Sequence, residues 1–414
     1  MFKNKTIVTI FCTVFIDLLG IGILIPVIPQ LFANPGSEFF LLPLGVSVKT
    51  GYILLGLLLA VYPIGQFLAT PILGQLSDKY GRKKILALSL FGTAVSYIVF
   101  AYAIITKDIP LLFAARFFDG LTGGNISVAQ AMIADISTKE NRAKNFGMLG
   151  AAFGLGFIFG PYLGGRLSDP LTVSWFTAAT PFYFAGILAF INMLSVLFLL
   201  KETNKHMHMH DYRMNIVKSL SNIGRAIKMK GVNIIFLTNF FFFGGFTFFT
   251  SFFAVYLINK FHFTQGQIGD FFAYVGIWSV FTQAVVTRHV AKRFSQEKVL
   301  RFTVFASGLL VLAYFLPQHA WEVLLVPPFF SFASGLTMAN LSALLSRSAP
   351  PHLQGEILGI NASVQALAQS IPAILSGFIA AALLPTTPIV IASITIIVGA
   401  FLFNWLYKKP ETVY

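Results

Sequence analysis

The sequence predicts an all-α membrane protein with twelve spanning helices. Three observations lead there. Charged residues make up 11% of the chain and hydrophobic ones 56%, with 46 Phe in 414 residues, whereas a soluble domain is roughly 25% charged. Apolar stretches of about 20 residues, each able to cross a ~30 Å hydrocarbon core, recur along the whole length. The ~10-residue alternating segments of a membrane β-barrel are not the pattern seen.

In chain order the spans fall near 7–32, 50–74, 84–105, 109–134, 143–167, 179–200, 232–258, 266–287, 298–316, 321–345, 354–384 and 387–407. Lys3 and Lys5 precede the first, and no small-residue cleavage site follows it, so this helix is expected to stay in the protein. The one cysteine, Cys12, lies inside it and reads as a small packing residue. A single cysteine builds neither an internal disulfide nor a thiolate metal site.

The net charge of +14 is a matter of placement. With the loops assigned alternately, 24 of the 29 Lys and Arg fall on the side of the N-terminus and four, Lys49, Lys107, Arg166 and Lys260, on the other. That asymmetry is the positive-inside pattern and predicts cytoplasmic N- and C-termini. The basic pI therefore reports topology, not a nucleic-acid partner.

Six helices precede and six follow the longest polar segment, giving an N-terminal bundle over 1–200, a linker over 201–231 and a C-terminal bundle over 232–414. Ile216, Leu220, Ile223 and Ile227 recur at amphipathic helical spacing within the linker. A helix lying on the cytoplasmic membrane surface is expected there. The HMHMH run at 206–210 reads as solvated linker, with convergence on a metal as the other reading. The halves repeat weakly: SDKYGRKKIL (77–86) aligns with AKRFSQEKVL (291–300), and RAKNFGMLG (142–150) with QGEILGINA (354–362). Internal repeats of this type mark secondary transporters, whose sites lie near the bilayer midplane.

The fourth helix, through ARFFDGLTGGN (115–125), carries Arg116 and Asp119 inside an apolar run. A charge at the bilayer centre costs several kcal/mol unless it meets a partner or a wet cavity. At 100° per residue, Asp119, Gly120, Gly123, Ser127 and Gln130 all lie within about 60° of Arg116, and Phe117, Phe118 and Leu121 lie away. Such a stripe suits a cavity-lining helix. Asn125 falls about 180° from Arg116 and reads as a helix-packing hydrogen bonder. Two readings of the charge pair stay open: mutual neutralisation at a helix contact, or control by Arg116 of a neighbouring carboxylate that exchanges protons. Asp17, near the middle of the first helix, is the other candidate carboxylate. Gln66 with Tyr62 in the second helix, Asn239 in the seventh, and Asn361, Gln365 and Gln369 in the eleventh add polar cavity candidates, or interhelical hydrogen bonds. The run FFFFGGFTFFTSFF (240–253) reads as lipid contact and packing, or as an aromatic wall.

Two glycine-bearing motifs stand out. GQLSDKYGRKK (74–84) joins helices 2 and 3; Gly81 permits a tight turn, and Lys79, Arg82, Lys83 and Lys84 pin the loop on one side. In the fifth helix Gly147, Gly156, Gly160, Pro161, Gly164 and Gly165 follow G-x8-G-x3-G-P-x2-G-G. Gly156, Gly160 and Gly164, at i, i+4 and i+8, form a groove for close helix approach, and Pro161 is a bend site.

The first motif, with Gly74, Asp78, Gly81, Arg82 and Lys83, resembles the signature loop of the major facilitator superfamily, and the second resembles the motif of its twelve-helix drug:proton antiporters. D-x-x-G-x-G-x-x-x-P-x-x-P in the first helix (Asp17, Gly20, Gly22, Pro26, Pro29), with ARFFDGLTGGN and AQAMIADIS (129–137), is similar to the tetracycline-efflux-like branch. The resemblance implies two six-helix bundles related by a pseudo-two-fold axis and alternating access to a central cavity. It implies proton-driven export of an amphipathic organic molecule, an inward gate latched by Asp78, and proton coupling at Arg116 with Asp17 or Asp119. An importer, or a carrier of a siderophore, lysolipid or metabolite, is the alternative. The chain departs from the tetracycline antiporters in having no carboxylate within helices 3 and 9, which sets tetracycline apart as a substrate. No nucleotide-binding loop is present, and the seven His lie in loops or near helix ends, so neither an ATP-driven pump nor an enzyme is expected. The expected partners are a small molecule, protons and the bilayer; no cofactor or metal is expected, and a monomer in a bacterial inner membrane is.

Overall fold

The computed structural model describes residues 5–43, 45–137, 142–204, 218–229, 231–348 and 354–407, which form helices and no strand. Among these residues, ten helices are long and apolar enough to cross a bilayer. The two other expected spans have identifiable reasons for falling short. The fourth is broken into α4 (Ile109–Thr122) and α5 (Asn125–Asp135). The ninth, α12 (Gln296–Ala313), has 18 residues and opens with Glu297, Lys298 and Arg301.

Proximity sorts the chain into two units. The first comprises Met1–Val46, Val61–Ile216 and Phe263–Ala273; the second comprises Ser47–Ala60, Val217–His262 and Tyr274–Tyr414. In the first unit α1 (Lys5–Phe32) packs on α6 (Arg142–Ser168) and on α7 (Thr180–Leu199), while α3 (Arg82–Thr106) packs on α7 and α4. In the second, α9 (Asn233–Phe261) packs on α14 (Gln354–Ala382) and on α15 (Thr387–Leu406), while α12 packs on α15 and α13 (Pro327–Arg347). The pairings correspond one for one, so the weak sequence repeat is a strong repeat of packing.

The signature loop is shorter than its eleven residues suggest. The second helix, α2 (Val48–Tyr80), runs past the expected end at 74 through Asp78 to Tyr80, and α3 begins at Arg82. Gly81 alone makes the turn, at φ 99°, where a Cβ would be strained. The antiporter glycines serve two neighbours. Gly156, Gly160 and Gly164 face the α1 backbone at Leu18–Ile23, whereas Gly165 faces Gly269 in α10 (Gln265–Phe281). Gly22 of α1 receives Gly160 and Pro161 in return. Beyond them, Arg166 pairs with Asp270 at 2.6 Å, with both side chains more than 40% exposed; an exposed pair of this kind contributes at most about 1 kcal/mol.

The eighth span is also irregular: α10 passes through a π turn at Thr282–Val286 into α11 (Thr287–Ala291). The phenylalanine run is chiefly packing. Phe242, Phe248, Phe249, Phe252 and Phe253 are buried, and Phe249 (tilted) and Phe253 (edge-on) pack around Tyr314 with centroids 5.3 and 4.7 Å away.

A Cβ on Gly160 would lie 2.7 Å from the Leu19 carbonyl and 2.8 Å from Gly22 Cα, whereas at Gly147 it would meet nothing within 4 Å. Gly160→Leu should therefore lower the thermal unfolding temperature in detergent, overpacking costing about 1–3 kcal/mol, while Gly147→Ala leaves it unchanged. Equal stability of the two variants would make the glycine spacing incidental.

Candidate functional site

The first unit gathers three charges around α4. Arg116 Nη1 lies 2.5 Å from Asp119 Oδ2, and both side chains are nearly inaccessible, at 6% and 4%. Helical spacing of i, i+3 puts them on one face. The guanidinium carbon stands 4.2 Å from the Tyr62 ring centroid, a cation–π contact from α2. Asp17 of α1 is also buried; its Oδ1 accepts from Asn125 Nδ2 at 2.8 Å. Its Oδ2, like Arg116 Nε and Asn125 Oδ1, is buried without a hydrogen-bond partner. Leu24, Ser96, Phe100, Ala115 and Phe182 close a small gap beside Tyr97, Arg116 and Asp119.

Asn125, read as a helix-packing hydrogen bonder, makes such a bond to α1. The chain breaks at Gly123 and Gly124, and Asn125 opens α5 facing Asp17. The glycines are there for close approach. A Cβ on Gly123 would lie 2.4 Å from the Tyr62 hydroxyl, and one on Gly124 2.7 Å from the Leu73 side chain. The carbonyls that the break frees are satisfied from outside. Ser89 Oγ donates to the Thr122 carbonyl, and Gln66 Nε2 donates to that of Gly123 at 3.1 Å. Unpaired backbone in hydrocarbon costs several kcal/mol per group, so both side chains have structural duties. Gln66 is thereby tied to the break. Gly20 of α1 likewise makes room: a Cβ there would lie 1.9 Å from the Tyr97 hydroxyl.

The remaining candidates separate. Ser127 bonds back to the Gly124 carbonyl at 2.7 Å, and Gln130 is exposed. In the second unit Asn239 Nδ2 donates to Asn361 Oδ1, tying α9 to α14, and Asn239 Oδ1 and Trp278 Nε1 are buried without partners. Gln365 and Gln369 are half-buried on α14. No group of His, Cys, Asp and Glu fit for a metal occurs among the described residues, and the HMHMH run lies outside them.

At the other end of the first unit, the signature-loop charges form a network. Asp78 meets Arg82 at 2.6 Å, and Arg82 Nε donates to Asp135 Oδ2 at 3.2 Å. Glu202, just past α7, was not foreseen. Its two oxygens accept from the backbone N–H groups of Arg82 and Lys83 at 3.0 and 3.1 Å, capping α3. Thr203 donates to Asp135 at 3.1 Å, and Asn204 to the Asp78 carbonyl at 2.9 Å. The cap spans more than a hundred residues of sequence, so no local pattern announces it. An acid suits a helix N-terminus, but Glu202 is one of several acids on that side of the chain and nothing in its own segment singles it out. Glu202→Ala should lower the unfolding temperature by an amount equivalent to about 1 kcal/mol, with Glu202→Gln in between; no change on thermal unfolding would deny the cap a structural role.

Comparison with known proteins adds a lineage to this geometry. A family model described as Major Facilitator Superfamily matches residues 10–373. The chain is 31% identical to the class H tetracycline resistance protein of Pasteurella multocida, over 91% of this chain and 89% of that one. It is 27% identical to multidrug resistance protein 2 of Bacillus subtilis, over 99% and 97%. Among solved structures it resembles the human organic anion transporter MFSD10, with a TM-score of 0.72 and 20% identity over 96% of this chain and 99% of that one. It also resembles the D-xylose–proton symporter, with a TM-score of 0.75 and 15% identity over 98% of each chain.

Proposed function

Because the chain belongs to the Major Facilitator Superfamily, we propose that Asp17, Arg116 and Asp119 are the proton-coupling centre of a secondary transporter that exports amphipathic organic molecules by alternating access. The names of the relatives, tetracycline and multidrug resistance proteins, support export and an organic cargo. One observation carries the coupling: three buried charges that sum to −1, with one carboxylate oxygen bare. Arg116 is committed to Asp119 at 2.5 Å, while Asp17 Oδ2 has no donor. A lone negative charge in hydrocarbon is costly; a proton on Asp17 makes the cluster neutral. Asp17 is accordingly the proton carrier, Asp119 the fixed counter-ion, and Asn125 the group that orients the Asp17 carboxyl.

Tetracycline itself does not follow from the kinship. Among the described residues α3 carries no Asp or Glu, and α12 carries only Glu297 in its first turn. The cavity-facing duties proposed for Gln130, Asn239, Asn361, Gln365 and Gln369 are neutral hydrogen bonding, which suits varied organic molecules. The transporter acts as a monomer in a bacterial inner membrane, with both termini cytoplasmic and six-helix bundles at 1–200 and 232–414. Asp78 serves the inward gate.

In proteoliposomes with an imposed proton gradient, Asp17→Asn should reduce uphill transport by at least about tenfold, equivalent to 1.4 kcal/mol, while leaving substrate counterflow. Asn125→Ala should impair uphill transport in the same sense but less. Arg116→Ala should disable both readouts, since a buried charge stripped of its partner costs about 3–5 kcal/mol; Arg116→Lys should restore part, lacking the planar fork. Full gradient-driven transport by Asp17→Asn would remove it from the coupling path, and full activity of Arg116→Ala would remove the pair.

A further inference from the structure

Two buried oxygens in the first unit lack a donor, and they belong to groups that are already joined. Asn125 Nδ2 donates to Asp17 Oδ1 at 2.8 Å, while Asp17 Oδ2 and Asn125 Oδ1 are buried without partners. An ionised carboxylate and an amide oxygen are both acceptors, so neither satisfies the other. A protonated carboxyl carries one O–H donor. With the proton on Oδ2, that O–H finds a donorless acceptor on the amide that already holds Oδ1. The terminal torsions of Asp and Asn are soft, so the two planar groups can align and close a second bond beside the first. One proton then satisfies both oxygens and the existing bond is kept. The charged groups acting on Asp17 are Asp119 and Arg116 of α4; Tyr62 of α2 and Tyr97 of α3 face it as phenols.

Asn125 is also the first residue of α5, and Asp135 is the last. The helix has 11 residues, a span of about 16 Å. The break at Gly123 and Gly124 separates it from α4, so α5 can follow Asn125 without dragging Arg116. Val128, Ala129, Met132 and Ile133 are buried in one apolar cluster with residues of α1, α3 and α6, which holds the helix to its line. A hydrogen-bonded helix does not compress, so a displacement at Asn125 appears at Asp135. There Asp135 Oδ2 accepts from Arg82 Nε at 3.2 Å and from Thr203 Oγ1 at 3.1 Å, whereas Arg82 Nη1 holds Asp78 Oδ1 at 2.6 Å. The two bonds to Asp135 lie at the long end of hydrogen-bond lengths. A shift of Asp135 therefore changes how Arg82 divides itself between its two acids.

We propose that Asn125 reads the protonation state of Asp17 as an acid–amide pair, and that α5 carries the reading to Asp135, Arg82 and Asp78 at the signature loop. With Asp17 protonated, the pair closes with two hydrogen bonds and draws α5 toward α1. With Asp17 ionised, one bond remains and α5 relaxes. The proton is taken from water and returned to it, and no other covalent bond changes. The inference rests on Asp17 as the proton carrier and adds the route by which its charge state reaches the signature loop.

The test uses the full chain, purified in detergent, with two readouts. Infrared difference spectra on acidification report the carbonyl stretch of the protonated carboxyl. A pH-insensitive fluorophore on Tyr80→Cys, in a Cys12→Ser background, reports the signature loop, since Tyr80 is 48% exposed. The background protein should show the band of a hydrogen-bonded acid together with a fluorescence change, and Asp17→Asn should abolish both. Asn125→Ala should move the band to the higher frequency of a free acid and cut the fluorescence change at least about fivefold, the lower end of coupling between sites. Asn125→Gln, which keeps an amide, should restore part of both. Asp135→Ala should leave the band in place and cut the fluorescence change, since it severs only the far end. A band that Asp17→Asn removes and Asn125→Ala leaves unshifted would overturn this proposal alone. So would a full fluorescence response in Asn125→Ala or Asp135→Ala. A band that survives Asp17→Asn would instead remove Asp17 as the proton carrier, and this route with it.

Discussion

A bilayer offers a charged side chain no water, so the ion pair of Arg116 and Asp119 dictates much of what surrounds it. Both partners come from one helix, and α4 alone satisfies only part of the guanidinium. Tyr62 supplies a ring face from α2 at 4.2 Å, and the Tyr97 hydroxyl fills space opened by Gly20 of α1. Such packing demands glycine wherever backbones close in. The break at Gly123 and Gly124 arises from the same demand, and the break delivers Asn125 to Asp17. A local choice of residue thus propagates: a charge in hydrocarbon requires partners, partners require close helices, and close helices require glycines. The helix interruption the glycines permit then creates the carboxylate's one hydrogen bond.

Periodic and compositional features were legible in the sequence because they are one-dimensional. Apolar length found the spans, i, i+3 spacing found the charge pair, and i, i+4, i+8 glycines found the seam against α1. Gly81 announced its turn because only a residue without Cβ is at ease at φ 99°. Three features were not legible, for three reasons. Asn125 was legible as a helix-packing hydrogen bonder, but its partner Asp17 was not, because a wheel assigns a face and not a neighbour. Glu202 caps α3 from the far end of the unit, a contact no local window contains. On α8 (Lys218–Lys228) the expected apolar stripe exists, but the docked face is the small, polar one of Ser219, Asn222 and Ala226. Hydrophobicity marks a face that avoids water, not the neighbour that covers it.

The two units share helix pairings yet differ in chemistry. Buried charge is concentrated in the first, at Asp17, Arg116 and Asp119. The second buries amides, hydroxyls and rings instead: Asn239 with Asn361, Thr303 with Thr337 at 2.9 Å, and Phe249 and Phe253 around Tyr314. An ion pair in low dielectric is steeply dependent on geometry and on proton occupancy, which suits coupling to a gradient. Amides and aromatic rings offer weaker contacts with many orientations, which suit molecules of varied shape.

On the proposed assignment, this division lets coupling run without an acid in α3. Coupling needs one site whose charge changes with protonation and one fixed cation that senses the change. In the proposed assignment Asp17 and Arg116 meet that need inside the first unit. Asp119 then sets the resting charge: without it, an ionised Asp17 would itself neutralise Arg116, and protonation would leave a bare cation. With it, the cation is already compensated, so a proton on Asp17 takes the cluster from −1 to zero. The protonated state is then the one fit to cross hydrocarbon-like packing unaided, and the deprotonated state is the one that calls for water. In the proposed assignment, the second buried acid three residues from Arg116 therefore sets the sign of the charge change.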